Sequence, residues 1–174
     1  MYVTDLSILE KEAADKEEEN LQFRNHLSAW NHKDLDKLVF ELNEEVTAAI
    51  DCTLCGACCR SLMINVTAAE IQDVSRKLEM LPGDFKAKYI EESSQGNFII
   101  NRIPCHFLSG NKCSIYTDRF TECREFPHLH KPHFKTRLFG TLMHYGRCPI
   151  IYNVIEELKK KVNWCITENK ARIK

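Results

Sequence analysis

Four of the nine cysteines fall within eight consecutive residues, from Cys52 to Cys59. Cys52, Cys55 and Cys58 follow one another with two residues between each, a spacing that brings thiols to one side of a tight turn and is typical of zinc and iron–sulfur sites. Gly56 lies inside this turn, where a left-handed or crowded backbone would exclude a side chain. The stretch therefore predicts a metal held by thiolates, in preference to four cysteines that merely pack in a core.

The adjacent pair Cys58 and Cys59 separates this stretch from a ferredoxin motif. In that motif the fourth cysteine comes after three residues and precedes a proline, whereas Cys59 follows Cys58 directly. Adjacent side chains diverge on most backbones, so we expect one of the pair in a first centre and the other in a second centre or in packing. The triple spacing favours an iron–sulfur (4Fe-4S) cluster, and the unusual position of Cys59 leaves zinc open.

Composition restricts the setting in which these cysteines act. The chain has 174 residues and a formal net charge of −1, which gives no electrostatic case for nucleic acid. It has no apolar stretch of the roughly 20 residues that a membrane helix needs, and its first residues do not resemble a signal peptide. We therefore expect a cytoplasmic protein, in which cysteines remain thiols or metal ligands instead of forming disulfides.

The elements that must position the cysteines follow from apolar periodicity and turn signals. Apolar residues at intervals of three and four predict an amphipathic helix over 35–50, with Asp34 as its N-cap, leading directly into Cys52. Thr67 and Glu70 form a capping-box pattern that predicts a helix through Leu78. Pro82 then predicts the start of another short helix.

The second half of the chain changes character. A strand is predicted over 98–100, and a turn at 109–111 predicts a β-hairpin with Cys105 and Cys113 on opposite arms. A short helix over 118–126 would carry Cys123. The basic, histidine-containing segment 127–146 is predicted to be a solvated loop or strand edge, and a closing amphipathic helix follows Cys148.

These elements predict an α+β fold that is mainly α: a small cysteine-rich helical domain with a short antiparallel β-hairpin, built around a metal centre. We expect a charged arm and amphipathic helix over 1–45, the metal-binding domain over 46–150, and a C-terminal amphipathic helix over 151–174 that packs on it. Cys165 is predicted to pack and not to bind metal.

Several short motifs occur in a fixed order along the chain: the Cys52–Cys59 cluster, Cys105-His106-Phe107-Leu108, Cys113-Ser114-Ile115-Tyr116, Arg119, and Cys123-Arg124-Glu125-Phe126-Pro127. Together they resemble the CxxCxxCC cysteine-cluster family of zinc- or iron-chelating proteins. The resemblance covers roughly residues 50–150. It implies ligand roles for eight cysteines, which are Cys52, Cys55, Cys58, Cys59, Cys105, Cys113, Cys123 and Cys148. Arg60, Arg119 and Arg124 lie close to these positions in the sequence and are expected to offset thiolate charge.

Two classes of function follow from these predictions. The first is a non-catalytic metalloprotein: a structural module, a carrier of zinc or of an iron–sulfur cluster, or a module that presents its helices to a partner protein. The second is an enzyme of redox or protein-lysine methyl-transfer type, since the family includes a flagellin lysine N-methylase. The sequence favours the first class, because saturated cysteine ligation closes a metal site to substrate and no catalytic triad, carboxylate pair or phosphate loop is present.

Overall fold

A computed structural model describes residues 1–165 of the chain, and its contacts divide the protein into two compact units. The first, the helical unit, comprises Met1–Ile50 and the described residues from Pro127 onward. The second, the cysteine unit, comprises Asp51–Phe126. The predicted domain bounds stay a prediction, and residues 166–174 of the predicted C-terminal segment lie outside the described part.

The described residues contain nine α-helices and five short strands. The helices are α1 Leu6–Asp15, α2 Glu17–Leu27, α3 His32–Ala49, α4 Ala57–Ser61, α5 Ala68–Lys77, α6 Pro82–Tyr89, α7 Thr121–Glu125, α8 Phe134–Leu142 and α9 Pro149–Lys161. The strands are β1 Asn65–Val66, β2 Ile90–Glu92, β3 Phe98–Ile100, β4 Leu108–Ser109 and β5 Lys112–Cys113. The predicted class, α+β and mainly α with a short antiparallel hairpin, is confirmed. No helix within residues 1–165 is both long and apolar enough to cross a bilayer.

The helical unit buries the apolar faces of its helices against one another, with α3 packed on α8 and α9. Side chains such as Phe23, Val39, Phe134 and Ile155 are fully buried there. The predicted helix over 35–50 is confirmed as part of α3, but the predicted N-cap is wrong. Asn31, and not Asp34, accepts the Lys33 N–H, so the helix begins three residues earlier.

Helix α8 contradicts the prediction of a loop over 127–146. The chain there is rich in histidine and lysine, and it lacks a local N-cap signal. Its first turn is instead capped from α3, because the Asp36 carboxylate accepts the N–H groups of His133 and Phe134 at 2.7 and 2.8 Å. A carboxylate close to a helix N-terminus accepts hydrogen bonds from the free amides there and interacts favourably with the helix dipole.

The cysteine unit is built on a three-stranded antiparallel sheet in the order β1-β3-β2, with a separate β4–β5 hairpin. Within the three-stranded sheet, Asn65 pairs with Ile99 and Ile90 pairs with Ile100. Within the hairpin, Leu108 pairs with Cys113. Helix α5 begins with the predicted capping box of Thr67 and Glu70, and α6 begins at Pro82 as predicted. One apolar core lies behind these elements; its buried members include Val66, Ile71, Phe85, Ile100, Phe107 and Phe120.

Candidate metal centre

The cysteine stretch folds as two short turns joined at a glycine. Asp51 accepts the Thr53 N–H at 2.8 Å and starts a 3-10 turn over Cys52–Leu54. Gly56 has φ of 63°, in the left-handed region, and α4 begins immediately after it. The expectation of a left-handed backbone at Gly56 is confirmed, and it reverses the chain so that Cys55 and Cys58 lie on successive turns.

The sulfur atoms in this stretch have defined partners. The Ala57 N–H donates to the Cys55 Sγ at 3.3 Å, the kind of bond that stabilises a thiolate ligand. The Sγ atoms of Cys58 and Cys59 lie 4.0 Å apart, so the two adjacent side chains do not diverge as expected. Cys52 is exposed, while Cys55, Cys58 and Cys59 are half-buried.

Arg60 and Asn111 fasten the hairpin to the cysteine stretch. The Arg60 guanidinium donates to the Cys55 carbonyl at 2.9 Å, to the Gly110 carbonyl at 2.8 Å and to the Asn111 Oδ1. In the opposite direction, the Asn111 amide donates to the Leu54 carbonyl at 2.9 Å. We call this set of bonds the hairpin clasp. It fixes the turn that precedes Cys113 against the turn that carries Cys55.

Cys105 reaches the same region by a different connection. Its N–H donates to the Cys59 carbonyl at 2.8 Å, and its own carbonyl accepts the Leu108 N–H at 3.0 Å. Cys113 pairs with Leu108 in the hairpin. The prediction that Cys105 lies on a hairpin arm is therefore wrong, because the arms are only two residues long and Cys105 lies in the turn before them.

Cys123 is carried by α7, a helix of a single turn that two glutamates hold in place. Glu70 accepts the Thr121 N–H at 2.6 Å while completing the capping box of α5, so one carboxylate serves two helix N-termini. Glu122 accepts the Asn65 N–H and side-chain amide at 2.7 and 2.9 Å. Hydrogen bonds from Thr121 and Thr67 overcome the effect of burial and lower the pKa of Glu70.

The thiols of these four segments lie close enough to affect one another electrostatically. Negative charge on Cys58 raises the pKa values of Cys52, Cys59, Cys105, Cys113 and Cys123. Cys105, Cys113 and Cys123 also pack against the apolar core of the unit. Cys58, on α4, therefore lies within electrostatic range of the thiols on the three other segments.

Burial and repulsion between neighbouring thiolates oppose ionisation of most thiols in this region. Burial is the main cause that raises the pKa of Cys52, Cys105 and Cys113, and it raises the pKa of Cys123 to about 12. Contact with Cys59 lowers the pKa of Cys58 to about 7, and the same contact raises that of Cys59. A bound cation would supply the charge that lets the other thiols ionise.

Arg119 is a cation that favours ionisation of four of the thiols. Its guanidinium lowers the pKa values of Cys52, Cys58, Cys113 and Cys123. It stacks on the Tyr116 ring at 3.9 Å and donates to the Tyr116 carbonyl at 2.9 Å, which holds it in place. The two other predicted arginines donate hydrogen bonds to backbone carbonyls, Arg60 within the hairpin clasp and Arg124 to Arg119.

The remaining cysteines lie in the helical unit. Cys148 is buried at the start of α9, where its N–H donates to the His144 carbonyl at 2.9 Å, and its ligand role stays a prediction. Cys165 is exposed. Within residues 1–165, no three His, Cys, Asp or Glu side chains are already drawn together as ligands of one metal ion. For a metal to bind, the thiols of the cysteine unit would therefore have to move closer together than they are in this structure.

Comparison with known proteins identifies the family of the chain. Residues 51–166 match the CxxCxxCC family, which is described as a zinc- or iron-chelating domain. No curated protein and no solved structure is similar enough to the chain to match it. Because the match covers two thirds of the sequence, the chain belongs to the CxxCxxCC family, as its motifs predicted.

Proposed function

We propose that this member of the CxxCxxCC family is a non-catalytic metalloprotein whose metal centre is held by cysteine thiolates of Asp51–Phe126. The candidate ligands are Cys52, Cys55, Cys58, Cys59, Cys105, Cys113 and Cys123. The observation that carries the proposal is the set of bonds that bring separate segments to α4. Cys105 is bonded to the Cys59 backbone, and the hairpin clasp ties the Cys113 arm to the Cys55 turn.

One distance favours zinc as the metal. Tetrahedral zinc with Zn–S bonds of about 2.3 Å keeps two sulfur ligands about 3.8 Å apart. The Cys58 and Cys59 sulfurs lie 4.0 Å apart, which is close to that value. In a cubane cluster each thiolate binds a different iron, which spreads the sulfurs farther. Cys58 and Cys59 are therefore suited to bind the same zinc ion.

An iron–sulfur cluster is the second candidate, supported by the spacing of Cys52, Cys55 and Cys58. The N–H bond to the Cys55 sulfur and the guanidinium of Arg119 are features that tune the potential of such a cluster. A cluster would add electron transfer to the function, whereas zinc held by four thiolates would have a structural or carrier role. Either metal would be enclosed by thiolates, leaving no open coordination position for a substrate.

Metal analysis of protein purified without oxygen tests the proposal. The wild-type protein should contain stoichiometric metal. Its solution should be colourless if the metal is zinc, and brown with an absorbance that dithionite bleaches if it is an iron–sulfur cluster. Cys58→Ser should lose most of the metal, because Cys58 lies close to Cys59 and interacts electrostatically with Cys105, Cys113 and Cys123. Cys165→Ser, at an exposed position outside the cysteine unit, is the control and should retain it. Equal metal content in the two variants would refute the proposed ligand set.

A further inference from the structure

Two histidines outside the cysteine unit lie side by side in the helical unit. His32 is the first residue of α3, and His133 immediately precedes α8. Their ring centroids are 5.9 Å apart with the planes at 71°, an edge-on arrangement. The thiolate centre proposed above uses neither residue.

The backbone of His133 is held in a conformation that few histidines adopt. Its φ of 59° lies in the left-handed region, which costs roughly 1–2 kcal/mol for a residue with a side chain. The Asp36 carboxylate compensates by accepting the N–H groups of His133 and Phe134. Asp36 lies four residues after His32 on α3, so one helix turn both carries the first histidine and fixes the second.

The ring of His32 has an unused nitrogen. Its Nδ1 atom is shielded from solvent and has no hydrogen-bond partner in the described part of the chain. Leaving such an atom unsatisfied costs about 1–3 kcal/mol. An imidazole nitrogen with no hydrogen-bond partner, beside a second imidazole, is a natural ligand for a divalent transition metal.

The separation of the rings agrees with a shared metal. With Zn–N bonds of about 2.0–2.1 Å, each ring centre lies about 3.2 Å from the metal. Two such rings are then about 5.2 Å apart at a tetrahedral angle and about 6.4 Å apart when opposite each other. The observed 5.9 Å falls inside this interval, so the separation of the two rings is compatible with a shared metal.

We propose that His32 and His133 form a second, two-histidine metal site that takes a divalent transition metal such as zinc, with water completing the coordination. Asp36 is a positioning residue, because both carboxylate oxygens already accept backbone N–H groups. With His32 and His133 as its two protein ligands, the site leaves the other coordination positions of the metal to water. Its binding should therefore be weaker and more readily reversible than that of a thiolate centre.

Calorimetric titration of Zn²⁺ into full-length protein whose thiolate centre is already filled tests this site. One additional equivalent should bind, and His32→Gln and His133→Asn should each weaken that binding at least tenfold. Asparagine tolerates the left-handed conformation, so His133→Asn removes the imidazole with little change to the backbone. His130→Gln, an exposed histidine of the same segment, is the matched control and should bind like the wild type.

Nitrogen NMR of the imidazole rings in the wild-type protein gives a second readout that needs no variant. Zn²⁺ should shift the ring nitrogens of His32 and His133 and leave those of His130 unchanged. The absence of an additional equivalent, its persistence in both variants, or shifts confined to other histidines would overturn the proposal. None of these results bears on metal content in Cys58→Ser, so the two proposals fail separately.

Discussion

Gly56→Ala is the substitution that tests how the cysteine stretch and the hairpin depend on each other. A Cβ at Gly56 would lie 3.0 Å from the Asn111 carbonyl oxygen and 3.2 Å from the Asn111 Cα, both backbone atoms of the hairpin turn. It would also lie 2.8 Å from an Arg60 guanidinium nitrogen, at the flexible end of a side chain. The methyl group must therefore push the hairpin away, and it weakens the hairpin clasp.

The expected loss of stability in Gly56→Ala has two parts. The left-handed φ of Gly56 costs alanine roughly 1–2 kcal/mol, and crowding against a backbone that cannot rotate away costs a further ~1–3 kcal/mol. Gly110→Ala separates them, since Gly110 also has a left-handed φ of 61° but nothing within 4 Å of its Cβ position. Gly110→Ala should therefore lose only the conformational part.

Urea unfolding of metal-loaded protein, with metal content measured in parallel, compares the two variants. Gly56→Ala should be less stable than Gly110→Ala by ~1–3 kcal/mol and should retain less metal, because the Cys55 turn and the Cys113 arm separate. If the two variants are equally stable and equally loaded, close contact between the turns does not hold the thiols together, and the reasoning fails.

Three further predictions concern charged side chains. Glu70→Gln should lower the free energy of unfolding, measured with denaturant, by roughly 1–2 kcal/mol, because the Glu70 carboxylate caps both α5 and α7. Asp73→Asn, at an exposed position of α5, is the control and should change it by no more than about 0.5 kcal/mol. Lys159→Ala should lower the free energy of unfolding by about 3 kcal/mol, because the buried Lys159 ammonium pairs with Glu19 and Glu156 at 2.9 and 2.8 Å. Lys160→Ala, at the neighbouring exposed position, should lower it by no more than about 0.5 kcal/mol. Burial opposes ionisation of Glu156, but hydrogen bonds from Lys159, Lys16 and Tyr145 prevail and lower its pKa. The stabilisation by ionised Glu156 should therefore be complete above its pKa in the unfolded chain, about 4.3, and be lost as pH falls through its lower pKa in the folded protein. Glu156→Gln should flatten that part of a profile of stability against pH. An unchanged profile would contradict the assignment.

Local signals predicted the parts of the molecule that depend on nearby residues. The capping box of Thr67 and Glu70 contains both partners within four residues, so the start of α5 could be predicted from sequence. The same holds for Pro82 at the start of α6 and for the left-handed turn at Gly56. The family was predicted from short motifs of this kind, whose order along the chain is itself a sequence property.

The missed features depend on residues far apart in the chain. Helix α8 is capped by Asp36, 97 positions away, so composition alone suggested a loop. The hairpin clasp joins Arg60 to Asn111 across 51 positions, and no local pattern identifies that pair. Glu70 was predicted as a cap of its own helix, but its bond to Thr121 and its part in placing Cys123 became visible only in the fold.

X-ray absorption at the metal edge, measured on protein purified without oxygen, tests the thiolate centre most directly. For protein that carries metal in the thiolate centre only, we predict a first coordination shell of sulfur alone at about 2.3 Å, with an added iron–iron distance only if the centre is a cluster. A first shell of nitrogen and oxygen, or freshly purified protein without metal, would contradict the assignment of the converging cysteines as ligands.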